Sequence, residues 1–172
     1  DLKRRERLNP REFASLYQQQ PYIQGGNLIR TDWWRSYPDD LRPESFTTLV
    51  ISADTAFKKS ESADYSVFVV AGMDKTGDIY IVDIVRGKYD FPELKQRMIQ
   101  LNNAWRGRGL RAIYIEDKAS GQSLIQELKR ESGVSVIPYK VVSDKVARVN
   151  AILPLIEGGR VFLPESAGWL DE

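Results

Sequence analysis

The runs LVISAD, residues 49–54, and RAIYIE, residues 111–116, decide how this chain is read. Each is a hydrophobic stretch that closes on an acid, Asp54 in the first and Glu116 in the second. Residues 48–53 are apolar enough for a strand buried on both faces, and residues 111–115 alternate less cleanly but read the same way. A buried carboxylate is costly unless it is paired or bound to a cation, so acids that end core strands point to a metal site. If the two strands lie side by side and parallel, about 4.8 Å apart, the carboxylates meet in the crevice beyond the strand ends, where open α/β sheets place ligands. Two divalent ions about 3.5–4 Å apart in such a crevice would support hydrolysis of a phosphodiester. A plainer reading fits the same residues: the acids cap their strands or pair with Lys58 and Lys118.

Composition narrows the chemistry. The 172 residues include no cysteine and no histidine. That excludes disulfides, thiolate sites, imidazole zinc ligands and histidine bases. A catalytic metal would have oxygen ligands alone, which selects magnesium or manganese. The net charge of +1 neither requires nor forbids a nucleic-acid partner, because local patches decide that. A hydrophobic content of 42% suits a domain with a sizeable core and an extension ahead of it. No run of about 18 apolar residues offers a membrane span, and the opening DLKRRERLNP is not followed by the apolar segment of a signal peptide. A cytoplasmic location follows by default.

Composition shifts near position 45, where an aromatic, glutamine-rich opening gives way to regular apolar strands. The expected division is therefore a lead-in over residues 1–45 and a folded domain over residues 46–172. In the lead-in, residues 10–20 fit a short helix followed by a turn at residues 24–27, and Trp33, Trp34 and Tyr37 form an aromatic cluster suited to packing across a domain interface. From residue 48 the order is three strands, a helix, a strand, a helix, a strand, a helix and a last short strand. Residues 67–72 and 79–86 are β-branched runs joined by a hairpin connection, which makes an antiparallel meander with the first strand. Leu94, Met98, Leu101 and Trp105 recur at helical spacing, predicting a helix over 91–105 that crosses over to a parallel strand. Ser120 suits the cap of a helix running to about residue 130, with Leu124, Ile125 and Leu128 facing the sheet. A helix over 144–157 is expected to bury Val146, Val149, Leu153 and Ile156, to kink at Pro154 and to end at the Gly158-Gly159 pair.

Three antiparallel strands followed by helix-linked parallel strands, with acids on the first and fourth, resemble the ribonuclease H-like fold, an α/β mixed sheet with helices on both faces. The motifs narrow the resemblance. ISADTAFKKSESADYSVFVVAG (51–72), IYIEDKASGQSLIQELK (113–129) and SDKVARVNAILPLIEGGRVFLP (143–164) are similar to the nuclease domain of the large terminase subunit of tailed bacteriophages. FASLYQQQPYIQGGNLIRTDWWRSY (13–37) resembles the stretch that ends that family's ATPase domain. The resemblance implies a metal-dependent endonuclease that cuts concatemeric double-stranded DNA during packaging. It implies Asp54 and Glu116 as the catalytic ligands of two Mg2+ or Mn2+ ions. The portal protein and the small terminase subunit would be partners of the parent protein, in the cytoplasm of a bacterial host. The family adds a third acid on a helix after the final strand. Asp171 and Glu172 follow that strand too closely to be that ligand, and no G-x-x-x-x-G-K-[ST] loop is present. The chain is therefore expected to be an excised fragment without the motor, with weak or absent metal binding and cleavage.

Other residues carry two readings each. Asp64 is a further candidate for the metal site, reached through a water, or a loop acid ahead of the next strand. Lys118, Ser120 and Gly121 open a helix whose N–H groups favour phosphate oxygens, or form an ordinary strand-to-helix turn. Lys145 and Arg148 share a helical face and are the leading DNA-backbone candidates, with Lys58 beside them; the alternative is a solvated charged stripe. Rival functions are a ribonuclease H-like resolvase or transposase, and a non-catalytic module that docks the portal or the small terminase subunit.

Overall fold

A computed structural model describes residues 29–56, 64–131 and 133–170, with the side chains of 119 and 120 outside that description. The chain divides between Thr31 and Asp32 into two compact units, and the sheet belongs to the second. Seven strands make it: β1 (Arg35–Tyr37), β2 (Thr48–Asp54), β3 (Ser66–Met73), β4 (Ile79–Gly87), β5 (Leu110–Glu116), β6 (Val136–Tyr139) and β7 (Val161–Pro164). Three helices join them: α1 (Phe91–Arg106), α2 (Ala119–Lys129) and α3 (Lys145–Glu157). The strand order is β1-β7-β4-β3-β2-β5-β6. The β2–β3 and β3–β4 pairs are antiparallel, and β2–β5, β5–β6, β4–β7 and β1–β7 are parallel. This is the expected mixed sheet, with one strand more than the sequence reading.

The added strand is β1. Its residues lie inside the expected lead-in, yet Tyr37 is buried, its hydroxyl donates to the Ile81 carbonyl at 3.0 Å, and its ring meets Tyr80 edge-on at 5.4 Å. Tyr37 therefore packs within the compact unit that holds the sheet, which begins at Asp32. The helix expected over 10–20 and the turn at 24–27 lie outside the described residues.

The core sits on one face of the sheet. Leu49, Ile51, Ala53, Phe68, Val70, Ile113 and Ile115 meet Leu94, Met98, Leu101 and Trp105 of α1 and Leu124, Ile125 and Leu128 of α2. Helix α1 starts on a reciprocal cap: the Asp90 carboxylate accepts from Glu93 N–H at 2.9 Å, and the Glu93 carboxylate accepts from Asp90 N–H at 3.0 Å. Full burial of each large apolar side chain contributes about 1.5–3 kcal/mol, so this face supplies most of the fold's driving force.

The opposite face corrects the expectation that β2 and β5 are buried on both sides. Ser52 and its cross-strand partner Tyr114 are exposed there. Helix α3 also departs from expectation. Among the residues it was to bury, Ile156 alone is buried, Val149 and Leu153 are half-buried, and Val146 is 53% exposed. Its topology explains this. The crossovers through α1 and α2 move one way across the sheet, and the connection through α3 returns the other way to β7. Right-handed crossovers in opposite directions set their helices on opposite faces, and no α3 residue joins the main core cluster. Pro154 lies within α3, which continues to Glu157.

Candidate metal centre

The register of β2 against β5 brings the two acids together. Ala53 pairs with Ile115, so Asp54 and Glu116 are the next residues at the C-terminal ends of neighbouring parallel strands. Asp54 is also the cross-strand partner of Val67, and Glu116 that of Tyr139. Cross-strand partners share a face. Because Ala53 and Ile115 point into the core, both acids point to the open face. The side chains converge on one positive charge: Lys118 Nζ lies 2.6 Å from Asp54 Oδ1 and 3.1 Å from Glu116 Oε2.

The turn from β5 into α2 builds this arrangement. Lys118 N–H donates to the Glu116 carbonyl at 2.9 Å, Asp117 N–H to the Tyr139 carbonyl at 2.8 Å, and Gly121 N–H to the Lys118 carbonyl at 2.7 Å. Gly121 is required by this close approach, since a Cβ there would run into the Glu116 carbonyl oxygen. Helix α2 begins at Ala119 with Lys118 at its N-cap position and no side-chain cap bond, which corrects the expected Ser120 cap. On the Asp54 side, Ser66 is fully buried and its hydroxyl both donates to the Ala56 carbonyl at 2.7 Å and accepts Ala56 N–H at 3.0 Å. That pair of bonds ties the chain just after Asp54 to the start of β3. Its sequence signal was a serine at the inward parity of Phe68 and Val70.

Burial pulls the Lys118 ammonium toward a lower pKa, and the hydrogen bonds and charges of Asp54 and Glu116 together outweigh it, leaving the pKa raised. Lys118 is therefore a firm cation at neutral pH. The pairing foreseen with Lys118 is thus realised, and it shows that one oxygen of each acid reaches a common cation. The donor set fits a hard divalent cation, being carboxylate oxygen in a chain with no histidine or cysteine. Among the described residues no group of three or more metal-ligating side chains forms.

The other expected residues are dispersed. Asp64 is exposed just ahead of β3 and does not complete a three-acid group with Asp54 and Glu116. Lys145, the first residue of α3, is exposed, whereas Arg148 is half-buried with its Nε lacking a hydrogen-bond partner. Asp144 caps that helix, accepting Ala147 N–H at 2.8 Å. Helix α3 follows β6, whose Tyr139 pairs with Glu116, so five residues, the last of them the cap Asp144, separate Lys145 from the acids' end of the sheet. Lys58, Asp171, Glu172 and the Ser120 side chain lie outside the described residues. A surface groove lined by Lys88, Tyr89, Glu93 and Arg97 includes neither acid; a pair at strand ends needs no concavity to hold an ion. No helix of the described residues is long and apolar enough to cross a membrane.

Residues 51–172 match the family described as the terminase RNaseH-like domain. No curated protein matches the chain. Among solved structures, the large terminase nuclease of thermophilic phage G20c with bound zinc is similar at 22% identity and a TM-score of 0.57, over 82% of this chain and 82% of that one. The same nuclease with bound magnesium is similar at 21% identity and a TM-score of 0.57, over 78% and 71%. The human cytomegalovirus terminase nuclease domain soaked with manganese is similar at 12% identity and a TM-score of 0.52, over 84% and 79%. At these identities the likenesses establish the fold.

Proposed function

Since the chain belongs to the terminase RNaseH-like domain family, we propose that it is the endonuclease domain of a viral DNA-packaging terminase, cutting concatemeric double-stranded DNA by two-metal phosphodiester hydrolysis. The observation that carries this reading is the convergence of Asp54 and Glu116 on one cation at the open ends of adjacent parallel strands. Those two carboxylates would hold Mg2+ or Mn2+, and the metal-bound structures of the G20c and cytomegalovirus nucleases support that class of ion. When bound, such ions supply an activated water and neutralise charge at the leaving oxygen. The chain's own part is to orient the oxygens through the β2–β5 register and to hold the DNA backbone. Lys145, Arg148, Lys118, Ser120 and Lys58 are the proposed contacts, with Asp64 a further candidate near the metals. Phosphate contacts of this kind carry no base information, so binding should be steeply salt-dependent.

On this reading the residues before the sheet lead in from an ATPase domain, the parent protein acts with the portal and the small terminase subunit, and it works in the cytoplasm of a bacterial host. With two acids assembled among the described residues, metal affinity should be weak. That observation, with the exposed apolar side chains of Val142, Val146 and Ile137, favours as second reading a docking module for the portal or small subunit. Nicking of supercoiled plasmid separates the two. The nuclease reading expects nicking that depends on Mn2+ and disappears in Asp54→Ala. Nicking untouched by that substitution, or the absence of any Asp54-dependent Mn2+ binding, would favour the docking module.

A further inference from the structure

The acid pair already has a cation, and that cation is part of the chain. Resting on the metal-centre reading above, we propose that Lys118 is a tethered counter-ion that holds the Asp54–Glu116 pair together until a divalent ion displaces it, and that it thereby sets the affinity of the centre.

The ammonium touches one oxygen of each acid, at 2.6 Å and 3.1 Å. Two carboxylates at the ends of adjacent strands repel each other, and a shared positive charge offsets that repulsion. A bridging metal ion would need those same oxygens, so lysine and metal exclude each other. The tether makes the competition effective, since a cation two residues from Glu116 is present at high local concentration whatever the composition of the solvent. The backbone hydrogen bonds of the β5–α2 turn hold the main chain of Lys118, so displacement requires rotation of the side chain alone. The side chains of Lys118, Asp54 and Glu116 are 41%, 68% and 28% exposed. Ion pairs this open are weak, and a doubly charged ion replaces them without opening the core. Lys118 is thus a positioning residue, distinct from a passive surface charge.

Calorimetric titration with Mn2+ tests this on the chain itself. Lys118→Met should bind Mn2+ about fivefold more tightly than the unmutated chain, a factor set by the strength of an exposed ion pair. Lys118→Gln should do the same, which guards against one variant that folds poorly. Lys129→Met, which removes an equal charge from the exposed far end of α2, should change the affinity by less than about twofold. Equal or weaker Mn2+ binding by both Lys118 variants, with binding still lost in Asp54→Asn, would overturn the counter-ion role and leave the metal centre standing. Absence of Asp54-dependent Mn2+ binding in every variant would overturn the metal centre and this inference with it. A similar gain from Lys129→Met would reduce the effect to bulk charge and overturn the specific role.

Discussion

The two faces of β2 and β5 have opposite characters although the same residues build both. Toward α1 and α2 the strands present Leu49, Ile51, Ala53, Ile113 and Ile115, all buried in one cluster. Toward the other side they present Ser52, Tyr114, Asp54 and Glu116, with Ser52 and Tyr114 exposed and the acids held by a lysine. One face supplies the free energy of folding, and the other holds charges that would destabilise a core. The alternation of a strand lets seven residues do both. The acids stand at the end of the strand, so the packed face fixes their register while solvent and a cation stay within reach.

The contrast breaks most visibly where the packed face is cut. Ile113→Ala should cost about 2–5 kcal/mol, because a fully buried side chain leaves a cavity against α1 and α2; urea unfolding measures it. Next comes the join between the faces. Gly121→Ala drives a methyl into the Glu116 carbonyl and should cost about 1–3 kcal/mol, while also weakening Mn2+ binding through displacement of Glu116. An unchanged midpoint would mean that α2 does not press on the end of β5.

A smaller effect is expected at the far end of the sheet, in the β3–β4 hairpin. The Asp74 carboxylate accepts from the Thr76 hydroxyl at 2.7 Å and from the N–H groups of Thr76 and Asp78 at 2.8 and 2.9 Å. The hydroxyl bond is the main cause that lowers its pKa, with backbone N–H groups adding to it and partial burial opposing. A carboxyl depressed on folding contributes stability above its unfolded pKa and loses it as pH falls through the folded value. The acid side of a stability-against-pH curve should therefore flatten slightly in Asp74→Asn. A curve that does not change would remove Asp74 from the hairpin's acid sensitivity.

The difference between the faces also explains what was legible in the sequence. Strands β2 to β5 and helix α1 announced themselves because inward residues repeat with the period of their element, and Leu94, Met98, Leu101 and Trp105 do so over nearly the whole helix. Asp54 and Glu116 stood out as acids closing apolar runs. Strand β1 did not, since three residues cannot display an alternation, and it exists only because β7 offers a parallel edge. The openness of the second face was hidden too. Val50 and Ala112 are apolar, and the lack of a cover over Ser52 and Tyr114 depends on which way the α3 crossover runs. Local sequence does not encode that direction. For the same reason Val146 reads as an inward residue and stands exposed. Lys118 was visible as a neighbour of Glu116, but its bridge to Asp54 spans 64 positions and arises from the sheet register.

The proposed function turns on Asp54 and Glu116 sharing a divalent ion on the open face. Crystals of the chain soaked in Mn2+ and measured for anomalous scattering test it most directly. An anomalous peak is expected within coordination distance of an oxygen from each acid, with the Lys118 side chain turned away. Manganese found only elsewhere, with Lys118 still joining the two carboxylates at saturating metal, would contradict it.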